Sequence, residues 1–222
     1  MNNTLLSLLH LTDPTLPIGG FSHSAGLETY VQKGIVHDVA TARQFIEAML
    51  SQNVHFNDAA FVSLAFDADF DTILALDAEC TAVKLPREMR QASQKLGLRL
   101  LKIFEPLTNA PLSKTYFEAI KKQEAVGHYC LIFALMAQSL GISKQDTLTG
   151  FYYNAAVGMV TNAVKLVPLS QQKGQEILFS LHDLITELAD KVVERDWVGL
   201  CCTGFDLRSM QHERLYSRLY MS

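Results

Sequence analysis

Seven histidines, at positions 10, 23, 37, 55, 128, 182 and 212, are the side chains of this chain whose chemistry is most directly tested by spacing. A helix that grips one metal ion presents ligands at i and i+4, and no pair of these histidines has that separation, so no closed local metal site is encoded. A symmetric dimer that brings two copies of one His or Cys together stays open. His128 lies in an apolar run and reads as a hydrogen-bonded core histidine rather than a ligand. Gly20-Phe21-Ser22-His23-Ser24 is superficially a nucleophile elbow, but the closing glycine of GxSxG is missing and no parallel sheet is expected to hold the strained turn. Asp67, Asp69 and Asp71 alternate like the first ligands of a calcium loop, yet Thr72 replaces the turn glycine and Ala78 stands where the bidentate Glu belongs. Carboxylates two apart also fail to share a helical face, which argues against a diphosphate-binding magnesium site and for a solvated acidic junction between helices. There is no GxxxxGK[ST] loop to cradle phosphates, so the chain is not expected to hydrolyse GTP by itself.

Composition agrees with this lack of a self-contained catalytic set. The chain has 222 residues, 49% of them hydrophobic and 19% charged, enough for one domain with a sizeable core and too apolar for disorder. A formal charge of −4 repels a phosphate backbone, so nucleic acid is not an expected partner. Cys80, Cys130, Cys201 and Cys202 show no CxxC spacing and the last two are adjacent, which points to reduced thiols and a cytoplasmic protein. Apolar runs are too short for a membrane span, and Leu5 to Leu11 lacks the basic leader of a secretion signal.

The elements that position these residues are helical. Ala42, Phe45, Ile46, Met49, Leu50 and Val54 recur with a period near 3.6 after a capping Asp38, and Ile177 to Val193 carries the same pattern over about five turns. Shorter helices are expected over 57–69 and 70–83, with longer ones from Pro86 to Phe104 and from Val126 to Leu140. Ser22 to Lys33 is expected to be helical after the rigid turn Asp13 to Gly20. Ser143 to Val167 is apolar nearly all round except for Asn154, Gly158, Thr161 and Lys165, a stripe at spacings of four, three and four. Such a stripe admits close approach of another backbone, either within the chain or from a neighbouring subunit. No segment alternates with period two between hairpin turns, and the predicted architecture is an all-α, single-domain irregular helical bundle of about ten helices.

The C-terminal stretch divides off at Asp206, with a helical domain over 1–205 and a tail over 206–222 belonging to it. The tail mixes Arg208, Glu213, Arg214 and Arg218 with Leu207, Met210, Leu215, Tyr216, Leu219 and Tyr220. It is costly to leave free and hard to bury within one domain, so it suits docking onto a partner, packing back on its own bundle being the alternative.

Four blocks in order carry a resemblance: Leu16 to Glu28 (LPIGGFSHSAGLE), Arg87 to Ser93 with Leu96-Gly97, Ala163 to Gln172, and Asp206 to Leu219 with an HExxxxRL pattern from His212. Over nearly its whole length the chain resembles the UreF family of urease accessory proteins, although Ser170 stands where that family often has Gly. The resemblance implies a dimerising all-α protein that is not itself an enzyme. It implies a partner called UreD or UreH, recruitment and gating of the GTPase UreG on apo-urease, and nickel handled by the complex, with no cofactor or metal held by this chain alone. Carried over residue by residue, it implies a UreD/UreH-binding tail with Asp206, Arg208, Met210, His212, Glu213, Arg214 and Arg218. It further implies a UreG-binding or dimer surface with Pro17, Gly19, Gly20 and Lys165, and a tail that becomes ordered on binding. Competing readings are a small-molecule enzyme using His23 or His128 with an acid, which needs a closed pocket, and a helical DNA-binding regulator, which needs a basic face that is absent.

Overall fold

The computed structural model describes residues 3–221, and Ser222 of the expected tail lies outside them. Among the described residues there are twelve α-helices and no strand. They are α1 (Thr4–Leu11), α2 (Leu27–Gln32), α3 (Val39–Ala48), α4 (Ala59–Phe66), α5 (Phe70–Val83), α6 (Arg87–Phe104), α7 (Pro111–Lys121), α8 (Tyr129–Ser139), α9 (Lys144–Leu166), α10 (Gln171–Ser180), α11 (His182–Val192) and α12 (Thr203–His212). Among the described residues no helix is long and apolar enough to cross a membrane.

The core is organised around α8, in which every residue from Cys130 to Ala137 is buried, so this helix has no solvent face to pattern. α4 and α6 pack along it, while α9 bridges to α10 and α11. The approach of α6 is set by Gly97, where an added Cβ would lie 2.3 Å from the Gly127 carbonyl oxygen and 2.8 Å from the Tyr129 nitrogen. Backbone cannot retreat as a flexible side chain would.

Several helix starts follow from the residue types. Asp38 and Thr41 form a reciprocal cap at α3, Asp69 accepts from the Thr72 amide at α5, and Ser143 accepts from the Asp146 amide at α9. Asp69 thus belongs to a helix junction, and Asp67 pairs with Lys144 at 3.2 Å. Ser170, the departure from the usual glycine, accepts from the Lys173 amide and caps α10.

Three expectations are corrected. The helix expected over Ser22–Lys33 begins only at Leu27, because Ala25 (φ 52) and Gly26 (φ 78) hold left-handed backbone that no right-handed helix contains. The five-turn helix over Ile177–Val193 is broken at Leu181 into α10 and α11. There the Ser180 hydroxyl donates to the Ile177 carbonyl at 2.7 Å, competing with the helical ladder. The helix expected from Val126 starts at Tyr129, because the buried Asp77 carboxylate captures the amides of Val126 (2.7 Å) and Gly127 (3.0 Å), and Gly127 holds a left-handed φ of 82. Tyr116 donates to the same carboxylate at 2.6 Å. His128 is fully buried, its ring nitrogens paired with the hydroxyls of Thr81 (2.9 Å) and Ser93 (3.1 Å).

Between α3 and α4 the chain stays helical but widens into a π-helical stretch, Met49–Asp58. The extra residue per turn rotates His55 inward, where it meets Tyr152 through Nδ1 (2.7 Å) and Arg195 through Nε2 (2.6 Å). A guanidinium only donates, so Nε2 accepts and Nδ1–H donates to the Tyr152 oxygen. Arg195 itself lies against the rings of Phe56 and Trp197, at 4.8 and 4.7 Å, and the two rings stack on each other at 5.7 Å.

Two outcomes are expected. Gly97→Ala should destabilise the fold by about 1–3 kcal/mol, as overpacking does, read from the urea midpoint; unchanged stability would contradict the backbone contact between α6 and α8. Burial, followed by the charges of Arg195 and Lys191, pushes His55 from its ordinary 6.5 down to about 4. The unfolded chain therefore binds more protons in that window, so the contribution is complete above pH 6.5 and is lost as pH falls toward 4. His55→Gln should flatten the pH dependence of the denaturation midpoint over this interval, and an identical slope in both proteins would refute the neutral ring.

Candidate partner-docking surfaces

The tail is held by charged residues of other elements. Its α12 lies against α2 and α6, with Phe205, Asp206, Ser209 and His212 turned inward. His212 is 1% exposed and sits between two carboxylates, Glu88 Oε2 at 2.6 Å from Nδ1 and Glu28 Oε2 at 3.1 Å from Nε2. Each ring nitrogen faces an acceptor, so both donate only when the ring carries two protons. Glu28, itself buried, also accepts from the amides of Leu219 (2.8 Å) and Tyr220 (3.2 Å). Glu88 reaches Arg218 at 2.7 Å, and Arg87 pairs with Glu213 at 2.8 Å. The tail is thus packed on its own bundle without a partner present, and its order does not require docking.

This placement divides the tail residues singled out from sequence. Asp206 is buried and accepts from the Cys202 amide at 3.2 Å, and burial pushes its carboxyl above the usual range. Asp206 and His212 face the bundle, and Glu213 and Arg218 are engaged in ion pairs. Arg208 bonds Gln211 at 3.3 Å, Met210 is exposed, and the Arg214 side chain is exposed. Apolar residues make the outward face: Leu207, Met210, Tyr216 and Leu219 are exposed, as is the neighbouring Leu200. Glu28 and Glu88, the side chains that hold the tail, escaped the site assignment although both lie in the quoted sequence blocks. The available signal was an acid beside Leu27 at the start of a short helix, whose partner 184 positions away nothing local specifies.

The second surface borders a cleft of about 290 Å³ lined mainly by apolar groups. Leu16, Ile18 and Gly20 from the N-terminal turn form one wall, and Ala155, Gly158 and Thr161 of α9 form another. Gly19 has φ 83, and an added Cβ would fall 2.3 Å from the Arg99 guanidinium, whose Nη1 donates to the Ile18 carbonyl at 2.8 Å. At the inner end Lys84 pairs with Asp58 at 2.8 Å. Burial alone would lower that ammonium, but Asp58 and the thiols of Cys80 and Cys130 more than offset it, and the net shift is upward. His23 also lines the cleft, and burial, then Lys95 and Arg99, push it downward.

Of the stripe on α9, Asn154 is used within the chain, its amide donating to the Thr12 carbonyl at 3.0 Å. Gly158 has nothing within 4 Å of where a Cβ would stand, and Thr161 and Lys165 are exposed. Lys165 lies one turn beyond the cleft, in the last turn of α9, where a cation complements the helix dipole. Pro17 and Gly20 are exposed on the cleft's other side, so the structure gathers Pro17, Gly19 and Gly20 into one turn with Lys165 on a separate helix. Ser22 donates to the Gly19 carbonyl at 2.8 Å, a turn-closing role in place of the rejected nucleophile.

These features define an irregular all-α bundle with an ordered, outwardly apolar tail and an open stripe beside a cleft. The UreF family model matches residues 36–182. The chain is 50% identical to the protein named urease accessory protein UreF of Actinobacillus pleuropneumoniae, covering 97% of this chain and 98% of the relative. It is 49% identical to the protein of that name from Haemophilus influenzae strain Rd, over 97% and 94% of the two chains. It is 35% identical to that of Lachnoclostridium phytofermentans over the full length of both. The chain belongs to the UreF family.

Proposed function

We propose that this protein is a non-catalytic scaffold for nickel-dependent urease maturation, which docks UreD/UreH through its tail and recruits and gates the GTPase UreG on apo-urease. Nickel is the cargo of that assembly, and this chain contributes surfaces rather than ligands. The observation that carries the reading is the tail itself: its His212, Glu213 and Arg218 side chains are spent on the bundle while Leu207, Met210, Tyr216 and Leu219 remain outside. A row of exposed apolar side chains on an ordered segment has little reason to persist unless another surface covers it.

The UreG or dimer surface is proposed at the open stripe, with Lys165 as a point charge for an acidic or phosphate group and Pro17, Gly19 and Gly20 shaping the opposite wall. A homodimer through this region satisfies the same geometry, because Gly158 presents bare backbone on which another helix can lie closely.

Removing the tail outright also uncovers Phe205 and strands Glu28 and Glu88, so outward residues are the cleaner probe. The pair Leu207→Glu and Met210→Glu should reduce UreD/UreH capture by about tenfold or more while leaving the urea midpoint within about 0.5 kcal/mol, as surface changes do. Undiminished capture would remove the tail from this role. Lys165→Ala should weaken UreG recruitment by the pre-formed UreD/UreH complex by a few-fold, with the salt dependence of recruitment reduced. If both UreG affinity and urease activation match wild type, the assignment of Lys165 fails.

A further inference from the structure

Where α5 meets α8, Cys80 and Cys130 place their sulfurs 3.8 Å apart, and both residues are fully buried. Neither docking surface uses them. The pair is not set in a purely apolar part of the core. Lys84 follows Cys80 by one turn of α5, and its ammonium, paired with Asp58 at 2.8 Å, is near enough to both thiols to be raised by them. Burial alone would raise the Cys80 thiol, but the hydrogen bond from Cys130, then His128 and Lys84, more than offset it, and the net shift is downward. Burial pushes Cys130 upward, so it keeps its proton and donates to the Cys80 sulfur. One sulfur therefore has thiolate character while the other is a thiol in contact with it. Lys84 and Tyr129, neighbours of the pair along the chain, line the cleft, which brings that opening to the residues flanking the sulfurs.

We propose that Cys80 and Cys130 are an oxidant-responsive modification site, at which hydrogen peroxide converts the two thiols to a reversible disulfide that joins α5 to α8. The Cys80 thiolate attacks one peroxide oxygen, the S–O bond forming as the O–O bond breaks, and hydroxide leaves and is protonated to water. The sulfenic acid so formed faces Cys130, whose sulfur attacks it. The S–S bond then forms, the S–O bond breaks, and the hydroxyl departs with the Cys130 proton as a second water. Two electrons pass from the thiols to the peroxide, and no further reagent is consumed. The sulfurs must close from 3.8 Å to the roughly 2 Å of a disulfide, a movement asked of side-chain torsions and a slight shift of α5. A resolving thiol already in contact captures the sulfenic acid before more oxygen can add. Bridging also removes the sulfur charge beside Lys84 and leaves Asp58 to hold the ammonium, so the modification is felt at the inner end of the cleft.

The test is hydrogen peroxide on the folded, full-length chain carrying Cys201→Ser and Cys202→Ser, which removes the thiols outside the pair. Its mass should fall by two hydrogen atoms, digestion should yield a peptide pair linked through Cys80 and Cys130, and dithiothreitol should restore the starting mass. Adding Cys130→Ala should abolish the mass loss and leave Cys80 carrying oxygen instead. Oxygen addition without a linked peptide in the Cys201 and Cys202 double variant overturns the pairing. Two thiols left unmodified at a peroxide dose that oxidises Cys201 of the wild-type chain overturn the reactivity. The double variant decides both points by itself, even if Cys130→Ala does not fold. A bridge that forms only once urea has unfolded the chain also counts against the site, because chance encounter rather than placement would then join the sulfurs.

Discussion

Asp77 and Glu28 are carboxylates with only about 2% of their surface exposed, and both are buried to serve backbone amides. Asp77 collects the amides that precede α8, and Glu28 collects the amides of the tail's last turn. An irregular bundle must stop and restart its helices inside its own core, and each stop leaves amides that water cannot reach. A carboxylate is the compact remedy, since it accepts several bonds at once and binds amides more strongly than a neutral acceptor. The cost is that a lost partner leaves a buried polar group uncompensated, which makes these acids costly to replace.

What sequence could reveal follows from the range of the interactions concerned. Helices α3, α5, α6 and α9 are legible because their determinants are local: a cap such as Asp38, a first-turn boundary at Pro86, and apolar side chains at helical spacing. The break at Leu181 was hidden because apolar periodicity runs unbroken through it, both helices turning the same pattern toward α9. The late start of α8 was hidden for a related reason. Within Val126 to His128 only Gly127, which takes φ 82, weakens a helix by its own type, and the interaction that draws these amides out of one comes from Asp77 on α5.

The functional surfaces divide along the same line. Exposure of the stripe on α9 could be anticipated from spacing, because small and polar residues interrupt an otherwise apolar helix. Which of its members are free could not, since Asn154 is engaged by the Thr12 carbonyl across 142 positions of sequence. In the tail, residue type was a poor guide to orientation. Its charged residues looked like the contacts a partner would read, yet His212, Arg218 and Glu213 are occupied by Glu28, Glu88 and Arg87, and Leu207, Met210, Tyr216 and Leu219 face outward.

That inversion bears on how such a tail works. A segment that orders only when bound spends part of its interaction energy on ordering, whereas one already seated by buried hydrogen bonds offers its apolar face at no such cost. Seating has its own constraint. The bonds that hold the tail must outlast the free state, so they are placed where water is excluded: His212 is 1% exposed, and Glu28 lies beneath the final turn. Exposed ion pairs such as Arg87 with Glu213 add little, because solvent and salt compete for them. The sequence blocks at the two ends of the chain therefore meet as one structure, the first supplying the acid and the last the histidine and amides that it binds.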